Sequence, residues 1–241
     1  MNIREVLTLI DTIAKRHNLS KPFIVGGVPR DKLLGRLKAV EDIDITNGDN
    51  SIHKLSELLG EETGGYYKKF PDGHSHVIID SIKFDFSSNY YDPQVKPLLA
   101  KAGVKNPSDL QIELYSRDFT VNCLLMGMNL DEVEDPLGLG INDIKARRIR
   151  TPIPAKFTLG NDHKRIVRVI YLAAKLGMEV DKEIIDWVRV NKQYFSDAKP
   201  KYLTTKLQQA VNYDKEKTIE LLTEMDLWDV APQLPGLRRA I

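Results

Sequence analysis

The sequence is poor in cysteine, in net charge and in long apolar runs. Its 241 residues hold one cysteine, Cys123, so no disulfide can close within the chain and a reducing compartment suits it. No apolar stretch nears the ~20 residues a membrane-crossing helix needs. The first residues also lack the apolar block of an export signal. These absences together read as a cytoplasmic protein with no membrane partner. Lysine and arginine number 35 against 34 aspartates and glutamates, a formal charge of +1. Any surface that attracts a polyanion must therefore be local. Internal repeats and low-complexity tracts are missing too.

What is present divides in two. Val6, Leu7, Ile10, Ile13 and Ala14 make an apolar stripe that predicts a helix over 3–17. Residues 23–25 read as a short buried strand, Leu33 and Leu34 belong to a short helix, and a second strand carries Asp42. Ile52, Leu55, Leu58 and Leu59 form another helical stripe, closed by Gly60. Two strands flank Asp80-Ser81 as a predicted hairpin, the second placing Ile82, Phe84 and Phe86 on one face and Lys83 and Asp85 on the other. Residues 90–113, rich in proline, lysine and aspartate, read as a long mobile loop with weak helix. From about residue 161 the pattern is wholly helical: Ile166, Val169, Ile170, Ala173, Ala174 and Leu176, stopped by Gly177, then stripes over 182–192, 202–213 and 216–228. Pro152 and Pro154 punctuate the change. The expectation is an α+β domain over 1–150, with a mixed sheet and helices, followed by an all-α part over 151–241.

The chemistry concentrates in the first domain. After the strand at Phe23, Gly26 and Gly27 remove side chains where the backbone must turn and approach a ligand. Pro29 suits the first turn of a helix, and Arg30 and Asp31 follow near an N-terminus whose free N–H groups favour phosphate. Asp42 and Asp44 alternate with Ile43 and Ile45, so both carboxylates share one strand face. Paired hard-oxygen ligands beside a phosphate cradle suit Mg²⁺ bound with a triphosphate. Asp85 is a candidate third carboxylate or a solvated strand residue. His74 and His76 lack a cluster that would make them metal ligands.

Gly26, Gly27, Arg30, Asp31, Leu33, Leu34, Gly35, Asp42 and Asp44 in this order resemble the signature of the class II nucleotidyltransferases. That family holds CCA-adding tRNA nucleotidyltransferases and bacterial poly(A) polymerases, and Pro29 stands where it usually has valine. Residues 116–123 resemble the family's Arg-Arg-Asp-Phe-Thr-x-Asn-Ala, with Ser116 in place of the first arginine. The resemblance implies that Arg117 binds the incoming nucleotide and that Asp118 and Asn122 face its ribose. Asp135-Pro136, Gly138 and Gly140, running on to Ile149-Arg150, look like the family's hinge, or a plain glycine-containing loop. Residues 161–168 resemble its base-reading motif: Asp162 and Arg165 match the pair on the Watson–Crick edge, and Arg168 a further nucleotide-contacting arginine. Read as one helix, this run places 161, 165 and 168 on one face. Asn161 stands where glutamate is usual and Tyr171 where a third arginine is usual.

The resemblance implies a polymerase β-like nucleotidyltransferase head, then an all-α neck and a short body. It implies Mg²⁺-dependent, template-independent addition of CMP and AMP from CTP and ATP to the tRNA 3′ end. Asp42 and Asp44 would be the metal ligands, and Asp42, Asp44 and Asp85 the catalytic carboxylates. The alternatives are a poly(A) polymerase, an enzyme adding only part of CCA, or an RNA-binding module on the same fold. Lys199, Lys201, Lys206, Arg238 and Arg239 either touch RNA phosphates or merely solvate helices.

Overall fold

A computed structural model describes residues 1–37, 42–71, 73–87, 93–232, 234 and 237. They divide into two compact units, Met1–Ile144 and Lys145–Ile241.

The first unit opens with α1 (Ile3–Arg16), which starts at a capping box: Asn2 Oδ1 accepts from Glu5 N and the Glu5 carboxylate accepts from Asn2 N. β1 (Phe23–Val25), α2 (Gly27–Leu33), β2 (Asp42–Thr46) and α3 (Ser51–Thr63) follow, then β3 (Tyr66–Lys69), β4 (Ser75–Ile79) and β5 (Ile82–Phe86). After them come α4 (Val95–Lys101), α5 (Asp109–Tyr115), β6 (Leu125–Met126), β7 (Val133–Glu134) and α6 (Gly140–Lys145). The strands form one sheet in the order β3-β4-β5-β2-β1-β6-β7, with β2 and β5 parallel and the other pairs antiparallel. Asp80 and Ser81 take left-handed φ values of 47° and 70°, the two-residue turn that matches the strands' twist and closes the β4–β5 hairpin.

The core fixes which way the sheet faces. Ile24, Ile43, Ile45, Phe84 and Phe86 join Val6, Leu7, Ile10 and Ile13 of α1 and Ile52, Leu55 and Leu59 of α3 in one buried cluster. Each such side chain contributes roughly 1.5–3 kcal/mol on burial. A one-residue slip of β2 would expose Ile43 and Ile45 and drive Asp42 and Asp44 into the cluster, at the cost of burying charge. The apolar face therefore sends the carboxylates to the opposite one, where a smaller cluster of Val25, Leu114, Cys123 and Leu125 seats α5.

In the second unit β8 (Arg148–Ile149) pairs in parallel with β9 (Glu179–Val180), and the rest is α7 (Ala155–Asn161), α8 (Lys164–Leu176), α9 (Lys182–Val190), α10 (Pro200–Tyr213) and α11 (Lys215–Glu224). Pro200 sits at the first turn of α10, and Gly177 ends α8 in the left-handed conformation at φ 62°. Among the described residues no helix is long and apolar enough to cross a membrane.

Three expectations need correction. Gly60 does not close its helix: α3 runs on to Thr63 and ends at Gly64, while Gly60 is buried where a Cβ would meet Tyr67 Cβ at 2.9 Å. The long loop with weak helix expected over 90–113 holds two defined helices, α4 and α5, among its described residues. Pro97 falls in the first turn of α4, and Ser108 and Gln111 cap α5 reciprocally, so capping outweighs composition; positions 90–92 lie outside the described residues. Residues 161–168 are not one helix, because Asp162 is extended (φ −146°, ψ 99°) between α7 and α8.

Candidate active site

Four charged side chains share one face of β2 and β5. The parallel register sets Asp42 opposite Lys83 and Asp44 opposite Asp85. Like charges directly opposite destabilise a sheet, and cations offset them here. Lys83 Nζ lies 2.5 Å from Asp85 Oδ2 and 3.3 Å from Asp42 Oδ1. Burial pushes the Asp85 carboxyl above its ordinary value against the opposing pull of Lys83, and Asp42 adds to the rise. The Lys83 ammonium is held above its own ordinary value: burial works to lower it, but its bonds with Asp85 and Asp42 outweigh that. His76, paired with Asp85 on β4, brings Nδ1 to 4.0 Å from Asp85 Oδ1.

Asp44 sits against the turn after β1. Gly26 there has φ 82°, and a Cβ on it would fall 2.6 Å from Asp44 Oδ2 and 3.2 Å from Arg117 Nη1. Only glycine leaves room for the carboxylate at this bend. Arg117, just past α5, brings Nη1 to 3.9 Å from Asp44 Oδ2. Its Nη2 donates to the buried Glu113 at 3.2 Å and to Ser87 Oγ at 3.4 Å. Glu113, one helical turn back, thus anchors the guanidinium, and nothing in its spacing marked it beyond an ordinary ion pair.

Arg30 does not project from the turn as a free phosphate grip. It is 4 % exposed, its Nε donates to Asp31 Oδ1 at 2.8 Å and its Nη1 to Asn122 Oδ1 at 2.6 Å. The Asn122 amide donates in turn to Asp118 Oδ1 at 2.9 Å. The motif residues Arg30, Asn122 and Asp118, with the half-buried Asp31 at one end, therefore form a chain of charge-assisted bonds that locks α2 to the turn after α5. Gly140 in the expected hinge serves close approach, since a Cβ there would meet the Thr120 carbonyl at 2.6 Å.

Asp42, Asp44 and Asp85 offer hard oxygens alone, the donors a divalent cation such as Mg²⁺ takes, and the Lys83 ammonium already stands as a cation between two of them. The donor set fits such an ion. Among the described residues no three His, Cys, Asp or Glu side chains are yet drawn into a ligand cluster. Asp44 is turned to Arg117, while Asp42 and Asp85 share Lys83.

In the second unit Arg165 Nε lies 3.8 Å from Asp162 Oδ2, and Arg165 Nη1 donates to the Thr158 carbonyl at 3.3 Å. Asp162 Oδ1 accepts from the backbone N–H of Lys164, the first residue of α8, at 3.1 Å. A carboxylate acceptor beside a guanidinium fork is the pairing edge that cytosine and adenine both offer partners for. Arg168 lies on α8 beyond it, whereas Asn161 ends the preceding helix.

Residues 22–150 match the family model of the poly A polymerase head domain. The chain is 29% identical to the A-adding tRNA nucleotidyltransferase of Aquifex aeolicus, over 92% of this chain and 28% of that protein. It is 31% identical to the CC-adding tRNA nucleotidyltransferase of Shouchella clausii, over 70% of this chain and 39% of that one. It therefore spans well under half the length of either. A crystal structure of a tRNA nucleotidyltransferase complexed with a primer tRNA and an incoming ATP analog superposes with a TM-score of 0.67 at 28% identity, covering 92% of this chain and 60% of that one.

Proposed function

We propose, from the premise that this chain belongs to the family of the poly A polymerase head domain, that it adds nucleotides without a template to the 3′ end of tRNA, using CTP and ATP. The 3′-hydroxyl oxygen bonds to the α-phosphorus, the bond to the β-phosphate breaks, and pyrophosphate leaves. The observation that carries this reading is the in-register face of Asp42, Asp44 and Asp85 beside Gly26 and Arg117.

Asp42 and Asp44, with Asp85, would hold a divalent ion, Mg²⁺, which when bound neutralises phosphate charge and lowers the pKa of the attacking hydroxyl. Arg117, anchored by Glu113, adds fixed positive charge beside Asp44, where charge develops on the reacting phosphate. The bare backbone at Gly26 and Gly27 lets the triphosphate approach. Arg30 acts from behind, holding Asn122 and through it Asp118, whose polar atoms discriminate a ribose hydroxyl from its absence. Asp162 and Arg165 read the base, and Arg168 stands one turn further along. The working compartment is the cytoplasm.

The relatives point both to A-adding and to CC-adding enzymes, so the experiment must separate the products. Transcripts of tRNA ending before C74, C75 and A76, each incubated with one nucleotide and Mg²⁺ and sized on a gel, report which steps occur. Extension of all three is full CCA addition, and extension of one class is a partial adder. Long adenylate tails mark a poly(A) polymerase. No extension of any transcript by any nucleotide would overturn the reading.

A further inference from the structure

Along α8, Arg168, Tyr171 and Lys175 follow at steps of three and four residues and share one face. α10 packs against α8 and delivers Lys206 onto that face. Lys206 Nζ stands 4.4 Å from the centre of the Tyr171 ring, and Lys175 Nζ stands 6.0 Å from it. Tyr213, at the end of α10, meets Tyr171 edge to face with ring centres 6.0 Å apart, and is itself 55% exposed. Burial, Arg168 and Lys175 together push the Lys206 ammonium below the ordinary lysine value. Lys206 Nζ also donates to Gln209 Oε1 at 3.0 Å, and three cations on one face draw an anion to it.

Of the basic residues that the sequence marked for phosphate, Lys199 and Lys201 are exposed and outside this group, and Arg238 and Arg239 lie outside the described residues. Lys206 stands apart from them: it is half-buried, seated on an aromatic ring and placed between two other cations. A free triphosphate would use the cations and leave the exposed ring idle. A polynucleotide uses both, because backbone phosphates take the cations while a base stacks on the ring.

We propose that Arg168, Lys175 and Lys206, grouped round Tyr171 with the exposed Tyr213 beside them, form a binding site for single-stranded RNA. The cations take backbone phosphates, Tyr213 stacks a base, and Lys206 supplies from α10 the positive charge that Tyr171 does not. The proposal rests on the functional reading only in taking RNA as the partner, and its test keeps the two apart.

The test is fluorescence anisotropy of a labelled unstructured RNA across a salt series, with CTP binding measured calorimetrically on the same proteins. Lys206→Met is expected to weaken RNA binding at least about five-fold and to make the slope of log affinity against log salt shallower by about 0.7. Lys206→Arg restores both. Tyr213→Ala weakens RNA binding about ten-fold with an unchanged slope, and Tyr213→Phe restores it. CTP affinity stays at its wild-type value in all four, and Lys206→Met melts no lower than the wild type, since it removes a crowded charge. RNA binding and slope unchanged in both Lys206→Met and Tyr213→Ala would overturn the proposal. So would a loss of CTP binding in Lys206→Met with RNA binding intact, which would make the group a triphosphate site. Wild-type protein that binds CTP but not RNA sinks the proposal and leaves the nucleotide chemistry standing.

Discussion

Gly26 carries the tightest steric constraint on the carboxylate face, because its missing Cβ is the space Asp44 Oδ2 occupies. Gly26→Ala is expected to cost about 1–3 kcal/mol through its positive φ, a fall of roughly 2–10 °C in melting temperature. Because Asp44 must move as well, nucleotide addition should fall far more than stability does. A variant that melts lower yet adds nucleotides at the wild-type rate would refute the close packing of Gly26 on Asp44. Asp42→Ala and Asp44→Ala should abolish addition with the far-ultraviolet circular dichroism intact, and measurable transfer by either would remove them from the chemistry. Lys83→Met bears on the cation between Asp42 and Asp85: in chelator the protein should melt lower, and calorimetric Mn²⁺ affinity should rise roughly ten-fold as a competing charge leaves. Weaker Mn²⁺ binding would make Lys83 a support of the metal site and not a stand-in for it. The carboxylates were legible in the sequence because strand alternation places them, and Lys83 was legible on their face. That Lys83 would bridge two of them was not, since alternation gives a face and not a partner. The bond from Arg30 to Asn122 was not legible for a related reason: a place near a helix start says nothing of a partner distant in sequence.

At the scale of elements, helices and strands followed from apolar periodicity wherever a stripe was long, as in α1, α8 and α10. Periodicity failed where capping decides. Residues 90–113 read as a long loop with weak helix because proline and charge dominate their composition, yet Ser108 and Gln111 cap α5 reciprocally. Since α5 holds Glu113 and leads to Arg117, its cap matters to the site. Ser108→Ala should cost about 1 kcal/mol and lower kcat for nucleotide addition through a loosened Arg117, and equal stability of the two proteins would show that the cap is idle. The Asp162 break is the second such case. No period marks a single extended residue between two helices, but that residue both accepts from the first N–H of α8 and faces Arg165. Asp162→Ala should widen the choice among CTP, ATP, UTP and GTP more than it weakens triphosphate binding. Preference measured with all four nucleotides and found unaltered would place base reading elsewhere.

At the scale of the molecule, a formal charge of +1 leaves almost no general attraction for a polyanion. Affinity for RNA must come from a few grouped cations. Three phosphate contacts on a single strand correspond to a slope of log affinity against log salt near −2, at about −0.7 for each. A slope steeper than about −5 would reveal a broad basic surface that the charge count does not suggest. The mixed first part and helical second part were legible in composition. The short β8–β9 pairing was not, since two-residue strands carry no period.

The parallel union of β2 with β5 also shapes how the protein comes to be active. β4 and β5 close locally through a two-residue turn, and β1 lies near β2 in the chain, whereas β2 and β5 are separated by α3, β3 and β4. Local hairpins form in microseconds, while distant pairings wait for a long loop to close. The carboxylates lie on both sides of that late seam. During refolding, helical signal should return before catalytic competence does, and substitutions that slow the seam will lengthen the lag between a chain that looks folded and one that works.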